Sequence, residues 1–122
     1  IKDELLERVA AVARRLVPGD PLDPATRLGA IVDEAQMRRV LEYVESGRAE
    51  GANLRLGGRR VREESGGYYV EPTVFDGVAP GMRIAREEIF GPVLATLTFR
   101  DPEQAIRIAN DVIYGLAAAV WT

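Results

Sequence analysis

Two adjacent carboxylates and an aromatic ring lie close together in the stretch from Glu87 to Pro92, which reads EEIFGP. Neighbouring side chains in an extended segment point to opposite sides, so Glu87 and Glu88 do not form a matched pair for general acid and base catalysis. One of these carboxylates is expected to meet solvent and the other a ligand. Phe90 is either a core residue, the commoner case for a lone aromatic, or the apolar wall of a binding site. The alternative to a ligand-binding segment is an acidic turn that leads into a strand and has only a structural role.

The 122-residue chain contains neither cysteine nor histidine. It therefore offers no thiolate nucleophile, no disulfide, no thiolate or imidazole metal ligand, and no imidazole base. Its serine and threonine hydroxyls have no histidine to activate them, and its acidic residues lack metal-ligand spacing. Gly57-Gly58 predicts a turn rather than a phosphate-binding loop, because no strand and helix flank it in the required way. The residues alone predict no complete catalytic constellation.

Composition indicates an ordinary globular chain of one domain at most, with 47% hydrophobic and 29% charged residues. The net charge is −3 and both signs are spread along the chain, so we expect neither nucleic acid nor a membrane as a partner. No apolar run approaches the roughly 20 residues that span a bilayer. No secretory signal is visible, and we expect a cytoplasmic location. Ile1 lies inside a predicted helix without an initiator methionine, which predicts a piece cut from a longer protein.

Two amphipathic helices are predicted in the first half of the chain. The first carries apolar residues at three- and four-residue spacing and stops at Pro18-Gly19; its stripe is Ile1, Leu5, Val9, Val12 and Leu16. A stiff, proline-containing loop follows over residues 20–26. The second helix begins near Asp33, an N-cap with Gln36 at the capping-box position. Its stripe is Met37, Val40, Leu41 and Val44, and glycines at 47 and 51 allow it to end.

Strands alternate with helices in the remainder of the chain. A short strand is predicted over 53–56, a polar surface excursion over 59–67, and a strand over 68–71 that continues irregularly to 75. Residues 93–99 predict a strand buried on both faces, followed by a helix that Asp101 and Pro102 begin and by another buried strand over 116–121. This βαβ pattern predicts an α/β fold, mainly a parallel sheet with flanking helices. The apolar edge left at Trp121 predicts that the fold is incomplete.

Three blocks of the sequence resemble the aldehyde dehydrogenase superfamily in order and spacing. The first is 19–34, with GDPLDPAT leading to Gly29 and Val32-Asp33. The second is 69–92, where EPTVF precedes EEIFGP. The third joins Ala109-Asn110-Asp111 to the run YGLAAAV over 114–120. Together they cover nearly the whole chain, which is identified as a member of this family.

The resemblance implies an NAD(P)-dependent enzyme that oxidises an aldehyde to a carboxylic acid. A cysteine thiolate attacks the aldehyde in that family, hydride passes to the cofactor, and a glutamate-activated water releases the acid. Residues 1–122 correspond to part of the catalytic domain; the nucleotide-binding domain, the cysteine segment and the oligomerisation segment are expected to lie outside them. The isolated chain is therefore expected to be inactive, and the full-length protein to be a homo-oligomer.

The resemblance also implies cofactor contacts for five residues. Glu88 matches the carboxylate that hydrogen-bonds the nicotinamide ribose, Phe90 the aromatic beside the nicotinamide, and Leu116 an apolar residue at the same end. Gln36 matches a side chain that touches the adenosine half, an assignment that competes with its capping-box role. Arg39 stands where many members carry a lysine on the adenine ribose. Glu87 is expected to be a solvated or structural neighbour.

The resemblance is strongest to bacterial members that act on amino-aldehydes, including gamma-glutamyl-aminobutyraldehyde. The alternative to an enzyme fragment is a stand-alone, non-catalytic α/β interaction or structural module derived from the same domain. The two readings differ in whether the reading frame continues upstream through a cysteine segment and a nucleotide site.

Overall fold

Helices and short strands alternate along residues 1–121, the part of the chain that the computed structural model describes. The helices are α1 (Lys2–Ala13), α2 (Glu34–Ala49), α3 (Arg83–Arg86) and α4 (Pro102–Ala109). The strands are β1 (Asn53–Leu56), β2 (Arg60–Val61), β3 (Tyr69–Val70), β4 (Thr73–Asp76) and β5 (Val93–Ala95). A 3₁₀ turn covers Glu63–Ser65.

The principal sheet has three strands in the order β1-β4-β5. Strand β4 lies in the middle, antiparallel to β1 and parallel to β5. Strands β2 and β3 form a separate antiparallel pair. The predicted α/β class is confirmed, whereas the expected mainly parallel sheet is corrected to a mixed one. The reason is the short connection through 57–72, which is long enough to return the chain antiparallel but holds no crossover helix.

Helix α2 forms the core with β4. Asp33 caps it as predicted, its carboxylate accepting the Gln36 backbone N–H at 2.7 Å. Val40 and Val44 are fully buried against Phe75 of β4. The predicted stripe is confirmed: Met37 is buried as well and Leu41 is packed against the core, which Tyr43 also joins. The helix runs past Gly47 and ends at Ala49, after which Gly51 takes a positive φ of 93°.

Helix α1 buries a face that matches the predicted stripe only in part, at Val9. Its buried residues are Leu6, Ala10 and Ala13, and it packs on Val74 of β4. Leu5 and Val12 of the predicted stripe are more than half exposed. Ala10 and Ala13 lie on the buried face, and a stripe drawn from large apolar residues omits alanine although alanine is often fully buried. The helix also ends at Ala13, before the predicted stop.

Residues beyond β4 depart most from the prediction. The strand expected over 93–99 is confined to Val93–Ala95 and borders only β4, with Leu94 exposed rather than buried. No strand forms over 116–121, where Val120 is 87% exposed. A strand needs a neighbour that satisfies its N–H and C=O groups, and no described strand lies beside this stretch. The predicted βαβ unit is therefore wrong for this structure, although Asp101 and Pro102 begin α4 as expected.

The connection from β1 to β2 depends on a glycine that no other residue replaces easily. Gly57 has a φ of 73°, and a Cβ placed there would overlap the carbonyl oxygen of Pro72. The polar excursion predicted over 59–67 follows this turn. In the structure, part of it forms β2 and a 3₁₀ turn. Gly66 has nearly the same φ of 72° but open space around it.

Substituting these two glycines separates backbone strain from overlap. Gly66→Ala is expected to cost about 1–2 kcal/mol of unfolding free energy, because it places a Cβ on a left-handed backbone. Gly57→Ala carries the same cost plus roughly 1–3 kcal/mol for the overlap. Urea unfolding of both variants, followed by circular dichroism, measures the difference. Equal losses in the two variants would contradict the close approach to Pro72.

Candidate functional site

Residues 87–91, here called segment 87–91, leave α3 and turn towards β5. Ile89 is buried and anchors the segment in the core. Phe90 is 74% exposed and takes a φ of 54°, a left-handed conformation that is a genuine outlier for a bulky residue. The core interpretation of Phe90 is therefore wrong. Glu88 is exposed as well, and its carboxylate forms no hydrogen bond or ion pair within residues 1–121.

Glu87 is exposed as well, with 44% of its side-chain surface accessible, but its carboxylate is hydrogen bonded to neighbouring side chains. Its Oε2 accepts a hydrogen bond from the Tyr43 hydroxyl at 2.8 Å and another from Arg83 Nε at 3.1 Å. The Arg83 guanidinium also lies over the Tyr43 ring, 4.1 Å from its centroid. The structural role expected for Glu87 is confirmed, and the two carboxylates do not act as a pair.

Hydrogen bonding sets the charge states of this cluster. The Tyr43 hydroxyl, followed by Arg83, holds the pKa of Glu87 below its ordinary value. The hydrogen bond to Glu87 and then burial raise the pKa of Tyr43, because ionising the phenol would place two negative charges in contact. At neutral pH the cluster thus holds an ionised Glu87, a neutral Tyr43 and a charged Arg83.

Gln36 contacts segment 87–91 from helix α2. Its Nε2 donates to the carbonyl oxygens of Ile89 and Phe90, at 3.1 Å each. Within residues 1–121 its side chain makes no return bond to Asp33, so the capping box predicted here is only half present. The side chain lies on the protein backbone beside Phe90.

The other two predicted cofactor residues are less closely tied to the segment. Arg39 is exposed on α2, one turn beyond Gln36. Leu116 lies in the irregular end of the chain and is 65% exposed. The structure brings Gln36 directly to Phe90, and it shows no hydrogen bond from Arg39 or Leu116 to segment 87–91.

Tyr43 and Arg83 belong to the site, but sequence reasoning missed them. The spacing of Arg83 and Glu87, four residues apart at a helix end, is the signal that could have found the arginine. Tyr43 lies between apolar stripe residues of α2, and a buried tyrosine hydroxyl requires a partner. That partner is Glu87, which lies 44 residues away in sequence.

An open cleft of about 550 Å³ lies between α1 and the edge formed by β4 and β5. Val9, Val12 and Leu94 are among its largely apolar lining, and Arg8 is the charged residue there. Such a surface offers contact area but no acid, base or nucleophile.

Residues 1–121 contain no group of three or more acidic, histidine or cysteine side chains placed to hold a metal ion. None of the helices described is both long enough and apolar enough to cross a bilayer.

Comparison with known families and structures agrees with this architecture. The aldehyde dehydrogenase family model matches residues 1–122. An aldehyde dehydrogenase of Enchytraeus buchholzi is 48% identical over 122 residues, which cover 100% of this chain and 24% of that protein. The aminoacetaldehyde dehydrogenase of Pseudomonas aeruginosa is 47% identical over 122 residues, again 100% of this chain and 24% of the relative. The chain belongs to the aldehyde dehydrogenase family.

Solved structures show the same similarity in three dimensions. An indole-3-acetaldehyde dehydrogenase crystallised with NAD+ matches with a TM-score of 0.97 and 58% identity, over 100% of this chain and 25% of the other. Gamma-glutamyl-gamma-aminobutyraldehyde dehydrogenase from Burkholderia cenocepacia matches with a TM-score of 0.95 and 59% identity, over 100% and 24%. The chain therefore spans about a quarter of the length of the relatives it matches.

The hydrogen-bonded carboxylate of Glu87 predicts a specific dependence of stability on pH. A carboxylate whose folded pKa is depressed stabilises the protein above its unfolded pKa, and that contribution is lost as pH falls through the folded pKa. Glu87→Gln is therefore expected to lower the melting temperature at neutral pH. The deficit should shrink as pH falls below the ordinary value of 4.5. The effect is modest because the carboxylate is partly exposed.

Thermal melts of the full chain at a series of pH values measure this deficit. Glu64→Gln, on the exposed 3₁₀ turn, is the matched control and should follow the wild-type curve. A Glu87→Gln deficit that stays constant down to about pH 3 would contradict the assigned charge state of Glu87.

Proposed function

We propose that this chain forms one wall of the cofactor site of an NAD(P)-dependent aldehyde dehydrogenase, an enzyme that oxidises an aldehyde to a carboxylic acid. The observation that carries the proposal is the joint display of Glu88 and Phe90 on a segment held by α2. One is a carboxylate without a hydrogen-bond partner within residues 1–121, and the other is an exposed ring on a left-handed backbone. Family membership and the relatives solved with NAD+ support it.

The side chains on segment 87–91 fit the nicotinamide ribose end of such a cofactor. A carboxylate accepts hydrogen bonds only, and its two oxygens suit the two hydroxyls of a ribose diol. An exposed aromatic ring offers an apolar face to a planar ring system. We propose that Glu88 binds the ribose and that Phe90 lies beside the nicotinamide, which accepts hydride from the aldehyde carbon when the cofactor is bound. Leu116, Gln36 and Arg39 are proposed to serve the remainder of the same site.

The reaction requires groups that these 122 residues do not contain. The absence of cysteine removes the nucleophile by which the family attacks an aldehyde. We propose that this nucleophile, the nucleotide-binding domain and the oligomerisation segment are supplied by protein outside residues 1–122. The contribution of this chain is then orientation of the cofactor rather than bond making.

Amino-aldehydes are the proposed substrate class. The relatives include an aminoacetaldehyde dehydrogenase and a gamma-glutamyl-gamma-aminobutyraldehyde dehydrogenase, at 47% and 59% identity. The use of NADP, a homo-oligomeric full-length protein and a cytoplasmic location stay predictions.

A chimaera tests the cofactor wall directly. The 122 residues replace the matching segment of the Pseudomonas aeruginosa aminoacetaldehyde dehydrogenase, and NAD+-dependent oxidation of aminoacetaldehyde is assayed. Glu88→Gln in the chimaera should lower kcat/KM for NAD+ by about tenfold, the size expected from losing charge-assisted hydrogen bonds.

Glu64→Gln serves as the control in the chimaera and should leave kcat/KM unchanged. Equal kinetics for Glu88→Gln and the unmodified chimaera would show that Glu88 does not bind the ribose.

The isolated chain is expected to show no aldehyde oxidation with NAD+ or NADP+, because it lacks the nucleophile. The assay follows absorbance of the reduced cofactor, with and without aldehyde, on protein purified to remove host dehydrogenases. Turnover that survives this purification would refute the proposal that the nucleophile lies outside residues 1–122.

Calorimetric titration of NAD+ into the same sample measures whether this chain binds the cofactor by itself. Saturable binding that Glu88→Gln removes would assign a preformed half-site to this chain.

A further inference from the structure

One face of helix α2 carries the residues that hold segment 87–91. Gln36, Val40 and Tyr43 are spaced by four and three residues, which places them in line on the helix. All three lie against the same short segment. Helix α2 therefore supports segment 87–91 along one face.

The middle of the segment is held by packing. Ile89 is buried in the same cluster as Met37 and Val40. Gly91 passes so close to the helix that a Cβ placed there would lie 2.5 Å from Val40 Cγ2. Packing therefore fixes the distance between segment 87–91 and α2.

The two ends of the segment are held by hydrogen bonds. At the first end, Tyr43 binds the Glu87 carboxylate at 2.8 Å. At the other, the two N–H bonds of the Gln36 amide are matched by two carbonyls, those of Ile89 and Phe90. These two carbonyls belong to the peptide groups on either side of Phe90, whose φ is 54°, so one side chain is bonded to both peptide groups that define the Phe90 backbone conformation.

We propose that Gln36 is a positioning residue, which fixes Phe90 in its left-handed conformation and so sets how Glu88 and Phe90 face the cofactor. The adenosine-side contact that the resemblance implies for Gln36 stays a prediction, while its amide nitrogen is bonded to the protein backbone. The consequence for the cofactor rests on the proposed function. The hydrogen bonding itself does not.

A second helix of the same chain supplies the internal comparison. Helix α4 begins like α2, with an aspartate N-cap and a glutamine three residues later. Gln104 uses its oxygen locally, where Oε1 accepts the Arg100 N–H at 2.8 Å. Gln36 instead uses its side-chain nitrogen, and Nε2 donates to two carbonyl oxygens of segment 87–91. A glutamine-to-glutamate change keeps size and acceptor capacity but removes both N–H donors, so it disables Gln36 and spares Gln104.

Nuclear magnetic resonance of the isotope-labelled full chain tests the positioning without any cofactor. In the wild type, the side-chain N–H protons of Gln36 should exchange with solvent at least about tenfold more slowly than those of Gln104, as expected for bonded against free amides. The Phe90 Cα and Cβ shifts should report a positive φ. Equal exchange rates for the two side chains would overturn the proposal without recourse to any variant.

Gln36→Glu should move the Phe90 and Gly91 backbone resonances towards values for negative φ. Gln104→Glu should leave them in place. A folded Gln36→Glu chain with unaltered Phe90 signals would refute the positioning role. Glycine tolerates a positive φ, so adding Phe90→Gly to Gln36→Glu should restore the melting temperature that Gln36→Glu lowers. An unrestored melting temperature would also contradict the positioning role of Gln36.

The chimaera distinguishes positioning from direct contact with the cofactor. Gln36→Glu should raise the KM for NAD+ by about tenfold when Phe90 is present and by less than about twofold in a Phe90→Gly background, because the two changes act through one element. Equal effects in both backgrounds would mean that Gln36 touches the cofactor itself. Loss of all NAD+ activity in the unmodified chimaera would reject the proposed function but leave the resonance result standing.

Discussion

The close packing of helix α2 against strand β4 is the constraint on which the rest of the structure depends. Val40 and Val44 have no exposed surface, and Gly47 allows the helix to approach so closely that a Cβ there would lie 3.2 Å from Phe75 Cζ of β4. Burial of such side chains contributes about 1.5–3 kcal/mol each. Because segment 87–91 docks on the same helix, the geometry of the site follows from the core and not from a mobile loop.

Polar contacts then select one arrangement within this packing. Burial is the largest influence on the pKa of Asp76 and tends to raise it, yet the hydrogen bonds from Lys2 and the Gly77 N–H hold it below its ordinary value. The hydrogen bond from Lys2 Nζ to Asp76 Oδ2, 3.1 Å long, joins the start of α1 to the end of β4. The i,i+4 ion pairs on α1 and α2 are exposed and contribute little. Asp76 is thus a buried carboxylate whose partners join two elements of the fold.

Local signals in the sequence were sufficient for the parts of the fold that local physics decides. Asp33 and Asp101 predicted their helix starts, because an N-cap acts within three residues. The strand predicted over 116–121 does not form, and local signals could not reveal this because a strand exists only with a neighbour. The same limit applied at the site. Glu88 was found by resemblance, whereas the contacts of Gln36 and Tyr43 join residues 44 to 54 positions apart, and no local pattern encodes them.

Phe90 shows why stability alone does not account for segment 87–91. Its exposed ring gains little from burial, and its left-handed backbone costs about 1–2 kcal/mol relative to an ordinary conformation. A chain selected only to fold would place glycine or asparagine at such a position. Instead, two hydrogen bonds from Gln36 hold the strained residue beside a carboxylate that has no partner within residues 1–121. Strain that the surrounding structure maintains in this way is typical of binding sites. This strain supports the cofactor role proposed above for the ring and the carboxylate, in which a planar ring and a diol lie against them.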